Sequence, residues 1–81
     1  MKKERKVVWT AHTEVNGFLF PLEEETIPYK DLEGYFVGAV DYHLGKKMTK
    51  KDVERFLRTK ERWIADKGAK DTYYCYNYDF I

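Results

Sequence analysis

The sequence predicts an α+β domain: a mainly antiparallel four-stranded sheet with one amphipathic helix on one face, in the order β-β-β-α-β. Three observations lead to this fold class. Apolar residues alternate along residues 6–15 and 18–22, on either side of a two-residue turn signal. Residues 49–68 carry apolar side chains at helical spacing. Residues 72–80 are dense in aromatic side chains, which favour strands.

The first two strands are predicted to form a hairpin. Asn16 and Gly17 are the strongest short hairpin signal, because a type I′ turn requires positive φ at both positions. A two-residue loop pairs Val15 with Phe18 and sets the register of the hairpin. The further pairs are Thr13 with Phe20 and Ala11 with Leu22. The face expected to be buried consists of Val7, Trp9, Ala11, Val15, Phe18, Phe20 and Leu22. Pro21 lacks an N–H, which predicts an edge strand.

The middle of the chain is predicted to continue the sheet. Residues 23–33 are expected to form a polar connection that begins with three glutamates, and residues 35–44 alternate well enough for a third strand. The apolar residues expected on the open face of the sheet are Val8, Leu19, Tyr35, Val37 and Tyr73. An open apolar sheet face favours a dimer or a partner protein.

Residues 49–68 are predicted to form the only long helix. Thr49 suits the N-cap and Asp52 the first turn, while Gly68 suits the left-handed position just past the end. The apolar stripe consists of Val53, Phe56, Leu57, Trp63 and Ile64. The basic stripe on the opposite side consists of Lys51, Arg55, Arg58 and Arg62. Lys60 falls within the apolar side, where its methylenes would lie along the sheet unless it is a functional buried lysine.

The last strand has two interpretations. Tyr74, Tyr76 and Tyr78 share one face with Phe80, and this face either packs beneath the helix or stacks unpaired bases. The opposite face carries Asn77 and Asp79, so the core interpretation is favoured.

Length and composition limit the class of protein. The 81 residues predict a single domain, residues 1–81, whose first five residues form a flexible charged arm. No apolar run reaches the roughly 18 residues of a membrane span, and no secretory signal is recognisable. Cys75 is the only cysteine, which excludes an intrachain disulfide and favours the reducing cytoplasm, or the host cytoplasm for a viral protein. The absence of Ser and Gln beside abundant Lys and Glu is typical of a thermophile or of a virus infecting one.

Charge is divided along the chain. Residues 8–45 carry one basic and seven acidic side chains, whereas residues 46–70 carry ten basic and four acidic ones. Such asymmetry marks either a partner surface or attraction between the two halves. The basic stripe would extend about 16 Å along the helix, which suits a row of phosphates. Pairs of Glu54 with Arg58 and of Arg62 with Asp66 would instead make it an ordinary solvated face.

The sequence contains few of the residues and motifs that catalysis requires. There is no serine nucleophile and no glycine-rich phosphate loop. Asp41, His43 and His12 lack the spacing of a metal motif, so no metal, cofactor or catalytic residue is predicted.

The sequence therefore predicts a small non-enzymatic accessory protein that binds nucleic acid through its phosphates, with Lys51, Arg55, Arg58 and Arg62 as contact residues. The alternative is a protein-interaction or inhibitor module, homodimeric in one version, that uses the open sheet face or the acidic segment 23–33. No membrane partner is expected.

Overall fold

The computed structural model describes residues 5–81, which form one four-stranded antiparallel sheet with two helices on one face. The elements are β1 (Lys6–Val15), β2 (Phe18–Pro28), a 3-10 turn (Tyr29–Asp31), α1 (Leu32–Leu44), α2 (Lys50–Thr59), β3 (Glu61–Ala65) and β4 (Thr72–Phe80). The strands lie in the order β2-β1-β4-β3. The predicted α+β class and its antiparallel sheet are confirmed, whereas the observed element order is β-β-α-α-β-β.

The hairpin of β1 and β2 forms around the predicted turn. Asn16 and Gly17 both have positive φ, 51° and 85°, as a type I′ turn requires. The pairs of Val15 with Phe18 and of Thr13 with Phe20 are confirmed. A β-bulge between Ala11 and His12 then shifts the register, so that Ala11 lies opposite Glu23 instead of Leu22.

The prediction of a third strand over residues 35–44 is wrong, because this segment belongs to α1. Leu32, Phe36 and Val40 are spaced four residues apart and are all fully buried, as expected for one face of a helix. The helix ends at Gly45, whose φ of 61° is the left-handed conformation that glycine adopts without strain.

The second helix begins as predicted and ends earlier than predicted. The Thr49 hydroxyl accepts the Asp52 N–H at 3.2 Å, and the Asp52 carboxylate accepts the Thr49 N–H at 3.0 Å, which completes a capping box. The helix stops at Thr59, since Lys60 takes a left-handed φ of 67° and donates its N–H to the Phe56 carbonyl at 2.7 Å. Gly68 therefore does not cap this helix.

Residues 61–65 form an edge strand instead of the last helical turns. This strand pairs with β4 and buries Ile64 against the core. Trp63 points to the opposite sheet face, so it is not part of the apolar helix stripe. Lys60 lies at the reversal, with Nζ 3.8 Å from the Asp79 carboxylate, and is not inserted into the apolar side.

The core lies between the sheet and both helices. It is rich in aromatic contacts: Phe36 of α1 stacks on Phe56 of α2 with ring centroids 4.1 Å apart, and Trp9 stacks on Tyr76 at 5.8 Å. Tyr76 and Tyr78 are buried, so the tyrosine face of β4 is core and not a platform for bases. The buried apolar residues of this layer are Val7, Trp9, Ala11, Ile27, Leu32, Phe36, Val40, Val53, Phe56, Ile64, Tyr76 and Tyr78.

α1 crosses the sheet obliquely and leaves the N-terminal half of β2, next to the turn, uncovered. Near its start the Tyr35 hydroxyl donates to Glu25 of β2 at 3.1 Å, while near its end His43 stacks on Tyr74 of β4 at 5.2 Å. The predicted burial of Phe18, Phe20 and Leu22 is therefore wrong, and all three side chains are exposed.

Two polar segments also differ from their predictions. The residues following Leu22 are not a loop, because β2 continues to Pro28 with Glu23, Glu24 and Glu25 in the strand. Arg5 contacts the sheet, with its guanidinium carbon 3.9 Å from the centre of the Phe80 ring. The rest of the predicted arm, residues 1–4, lies outside the described residues.

Candidate functional site

Three of the four predicted basic residues lie together on the outer side of α2. Lys51, Arg55 and Arg58 are exposed, and they lie opposite Val53 and Phe56, which anchor the helix in the core. Lys51, Glu54, Arg55 and Arg58 line a shallow surface depression of about 320 Å³. We call Lys51, Arg55 and Arg58 the basic face.

No carboxylate of residues 5–81 lies within ion-pair distance of the basic face. Among residues 5–81, the ion pair recorded within 4 Å is that of Lys60 with Asp79, and none involves the basic face. The expected pair of Glu54 with Arg58 does not form. The three cations are therefore available to bind an anion from solution. Binding would cost side-chain conformational entropy, as it does for any long exposed side chain that becomes ordered.

The fourth predicted residue, Arg62, is not on the helix. The reversal at Lys60 places it on β3, where it is half-buried, and its buried Nε has no hydrogen-bond partner within the described part of the chain. Its positive charge still affects Asp52, in the first turn of α2. Hydrogen bonds from Thr49 are the main cause of the lowered pKa of Asp52, and the positive charge of Arg62 is a smaller cause. The row of helical cations is thus about 10 Å long instead of the expected 16 Å.

The opposite face of the sheet has the opposite charge. By strand alternation, its side chains include the carboxylates of Glu14, Glu24, Glu61 and Asp79, with Lys6 as the basic residue of the strands. Trp63 and Tyr73 lie exposed among these carboxylates. The molecule therefore presents a basic face on α2 and, on the other side of the sheet, a surface with more carboxylates than strand cations and with two exposed aromatic rings.

The same sheet face brings together residues that are far apart in the sequence. His12 pairs with Cys75 across β1 and β4, and the Asn77 amide donates to the Cys75 sulfur at 3.6 Å. Sequence spacing could not reveal this group, since its members meet only through strand pairing. Burial raises the pKa of the Cys75 thiol, which disfavours the thiolate that a nucleophile requires.

The candidate metal ligands are not assembled. Asp41 and His43 are two residues apart on α1, so they do not share a helix face, and His12 lies on the opposite side of the sheet. Within residues 5–81, no group of three or more His, Cys, Asp or Glu side chains could hold a metal ion.

His43 instead takes part in a partly buried polar contact that the sequence did not indicate. His43 Nδ1 and the Tyr76 hydroxyl form a hydrogen bond at 2.8 Å, and the His43 ring stacks on Tyr74. Burial lowers the pKa of His43, while the charge of Glu23 raises it to a smaller extent. The neutral imidazole is therefore the favoured form in the folded chain.

This contact predicts a pH dependence of stability. Unfolded His43 takes up a proton near pH 6.5, whereas burial holds its folded pKa lower, so the free energy of unfolding should fall as pH drops from about 6.5 through the folded value. Urea unfolding at about pH 7.5 and about pH 5.5 measures this fall. His43→Gln should reduce it, while His12→Gln is the control and should retain it. Equal pH dependence in His43→Gln and the wild type would contradict this assignment.

No helix of residues 5–81 is long and apolar enough to cross a membrane. Comparisons of the chain with protein-family models, with curated proteins and with solved structures found no match. Function must therefore be inferred from the side chains described above.

Proposed function

We propose that the chain is a non-enzymatic accessory protein of the cytoplasm that binds nucleic acid through the phosphate backbone. The observation that carries this proposal is the basic face: Lys51, Arg55 and Arg58 are exposed, and no carboxylate within residues 5–81 pairs with them. The composition, rich in Lys and Glu and lacking Ser and Gln, supports a thermophile or a virus of one as the source.

Phosphate is the group that fits these side chains. Arginine offers a planar fork of donors that binds phosphate oxygens in pairs, and lysine adds a compact positive charge. A row of about 10 Å corresponds to a few successive phosphates at a rise of about 3.4 Å per nucleotide. The aromatic face of β4 is closed by the helices, so recognition would follow the backbone and not the sequence of the nucleic acid.

The test is binding of the purified protein to labelled single-stranded and double-stranded nucleic acid across a salt series. Three phosphate contacts predict that log affinity falls against log salt with a slope of about −2.7 for duplex DNA and about −2 for single strands. Arg55→Glu combined with Arg58→Glu should weaken binding at least about tenfold at low salt, because two contacts are replaced by repulsion.

The matched control is Lys67→Glu combined with Lys70→Glu. It changes the net charge by the same amount, on the exposed loop between β3 and β4. This control should keep most of the wild-type affinity and nearly the same salt slope. Equal losses in the two double variants would show that net charge, and not the basic face, governs binding.

The second candidate is a protein-interaction or inhibitor module. The sheet surface opposite the helices favours it, because Trp63 and Tyr73 are exposed there among carboxylates, in the pattern of aromatic anchors within a polar rim. Its partner would be a basic protein surface. Failure of the wild type to bind any nucleic acid at low salt would favour this candidate over the first.

A further inference from the structure

The outer edge of β3 carries backbone groups that β4 does not bind. β3 lies at one edge of the sheet, with β4 as its neighbour. Just past its end, the Asp66 N–H donates to the Thr72 carbonyl of β4 at 2.9 Å. Residues of an antiparallel strand bond alternately to one side and the other, so the even-numbered residues of β3 bond to β4. The N–H and C=O groups of Trp63 and Ala65 therefore point away from the sheet.

This edge is open to a further strand. Trp63 and Ala65 are exposed, and their backbone groups form no hydrogen bond with the residues outside β4 that the structure describes. The nearby helix α2 lies inward of the edge, because its Phe56 ring contacts Trp9 of β1 and Tyr78 of β4. Unpaired groups on an uncovered edge strand are a template for pairing with another chain.

We propose that β3 pairs antiparallel with β3 of a second copy of this chain, about a two-fold axis at Ile64, so that the two sheets become one continuous sheet. In this register Trp63 of each copy lies opposite Ala65 of the other. Both residues point their backbone groups outward, so each such pair exchanges two hydrogen bonds. This inference goes beyond nucleic-acid binding and does not depend on it, because β3 and the basic face share no residue.

The charges of this segment favour a second copy as the partner and select the register. Arg62 and Asp66 lie two residues on either side of Ile64, on the same side of the sheet. An axis at Ile64 therefore places Arg62 of each copy opposite Asp66 of the other, and opposite charges at directly paired positions stabilise an antiparallel pair. An axis at Trp63 would place Arg62 opposite Ile64, and an axis at Arg62 would pair two like charges.

The pairing also supplies an acceptor that Arg62 lacks. Arg62 is half-buried, and its buried Nε has no hydrogen-bond partner among residues 5–81. The Asp66 carboxylate accepts the Gly68 N–H through one oxygen, at 2.9 Å, which leaves its second oxygen for another donor. In the paired strands this oxygen can accept from the guanidinium of the other copy. Bonds between arginine and carboxylate are among the stronger hydrogen bonds in proteins.

The other edge of the sheet limits the assembly to two copies. At that edge, Pro21 of β2 lacks the N–H that an added strand would use, and the bulge after Ala11 disrupts the regular geometry. Pairing through β3 uses up the open edge of each copy and leaves only these two interrupted edges outside. The assembly therefore closes as a two-fold dimer.

The short contact predicts a weak dimer. β3 has five residues, which extend over about 17 Å at 3.3 Å per residue. Such a contact lies at the low end of specific interfaces, on the order of 1,000 Å² in total or less. Its affinity depends on the backbone hydrogen bonds and the Arg62–Asp66 pairs, which form at little ordering cost because β4 already holds β3 extended. A dissociation constant on the order of 100 μM is expected.

Sedimentation velocity of the protein alone, from low micromolar to about 1 mM, tests the proposal. The wild type should shift from monomer to dimer across this range. Ala65→Pro should weaken dimerisation at least about tenfold, because it removes an outward N–H that bonds nothing in the monomer. Ala65→Thr is the matched control, since it keeps the N–H and suits a strand, and it should dimerise like the wild type.

Circular dichroism verifies that both Ala65 variants are folded. A wild type that stays monomeric at about 1 mM overturns the proposal. Equal dimerisation of Ala65→Pro and Ala65→Thr also overturns it, because the outward N–H would then play no part.

Cross-linking tests the register without relying on the proline variant. Trp63→Cys and Ala65→Cys are made separately in a Cys75→Ala background, because Cys75 is the partner of Trp63 across β4. With the axis at Ile64, positions 63 and 65 of different copies have Cα atoms about 5.5 Å apart, within disulfide range. The same position in the two copies is about 8 Å apart, which is too far for a disulfide.

A mixture of the two cysteine variants in a glutathione redox buffer should therefore form a disulfide between one copy of each, much faster than either variant alone forms a disulfide with itself. Faster cross-linking of one variant alone would place the axis at a different residue and overturn the register. Absence of cross-linking in the mixture, at concentrations up to about 1 mM, would overturn the contact itself.

Discussion

Phe56→Ala is expected to destabilise the fold by about 3–5 kcal/mol, because it empties the centre of the aromatic core. The Phe56 ring stacks on Phe36 at 4.1 Å and meets Trp9 and Tyr78 edge-on at 6.2 Å and 5.3 Å. It is also fully buried. A chain of 81 residues has a total stability of roughly 4–12 kcal/mol, so this loss would leave the variant marginal or unfolded at room temperature.

Phe18→Ala is the matched control, since it removes the same atoms from an exposed position. Its expected effect on the monomer is within about 0.5 kcal/mol. Urea unfolding, at a protein concentration where the wild type is monomeric, measures both variants. Similar losses of stability in the two would contradict the burial assigned to these rings.

Glu23→Leu is expected to cost about 1–3 kcal/mol, although Glu23 is exposed on an edge strand. The Trp9 indole is fully buried, and its Nε1–H donates to the Glu23 carboxylate. Leucine removes that acceptor and leaves a buried donor without a partner. Glu23→Gln keeps an acceptor oxygen and should recover most of the loss.

The neighbouring glutamate provides the comparison. Glu24→Leu changes the adjacent residue on the opposite sheet face, and the Glu24 side chain forms no hydrogen bond or ion pair with another of residues 5–81. In thermal unfolding, Glu23→Leu should have a lower midpoint temperature than Glu23→Gln and Glu24→Leu. If Glu24→Leu were as destabilised as Glu23→Leu, the cause would be loss of surface charge and not the unpaired indole.

Features determined by a few adjacent residues could be predicted from the sequence. The turn at Asn16 and Gly17 follows from their tolerance of positive φ, and the N-cap at Thr49 follows from its hydroxyl and from Asp52. The aromatic run of β4 was correctly interpreted as a strand whose tyrosine face is core. In each case the local preference and the tertiary environment favour the same conformation.

Segments with two compatible periodicities were misassigned. Residues 35–44 show partial alternation, but Leu32, Phe36 and Val40 recur every four residues, and the glycine at position 45 is a typical helix end. The helical spacing begins at Leu32, three residues before the segment that was predicted as a strand. Val37 was therefore predicted on an open sheet face, whereas it lies on α1 and packs against the core.

The early end of α2 had no comparable local signal. A lysine with φ of 67° is uncommon, so nothing at Lys60 predicts a reversal. The reversal is favoured by the pairing of β3 with β4 and by burial of Ile64, which are contacts made later in the chain. For this reason Arg62 was wrongly predicted to lie on the helix, and the candidate site was predicted to be longer than it is.

The sheet order has a consequence for how the chain folds. β1 and β4 are the described strands farthest apart in sequence, yet they pair at the centre of the sheet, with Val7 opposite Phe80. Each outer strand belongs to a hairpin that can form locally, whereas the central ladder requires closure of nearly the whole described chain. We therefore expect the joining of the two hairpins to be the slow step of folding. Until it occurs, neither helix has a complete sheet to pack on, so the aromatic core and the central ladder should appear together.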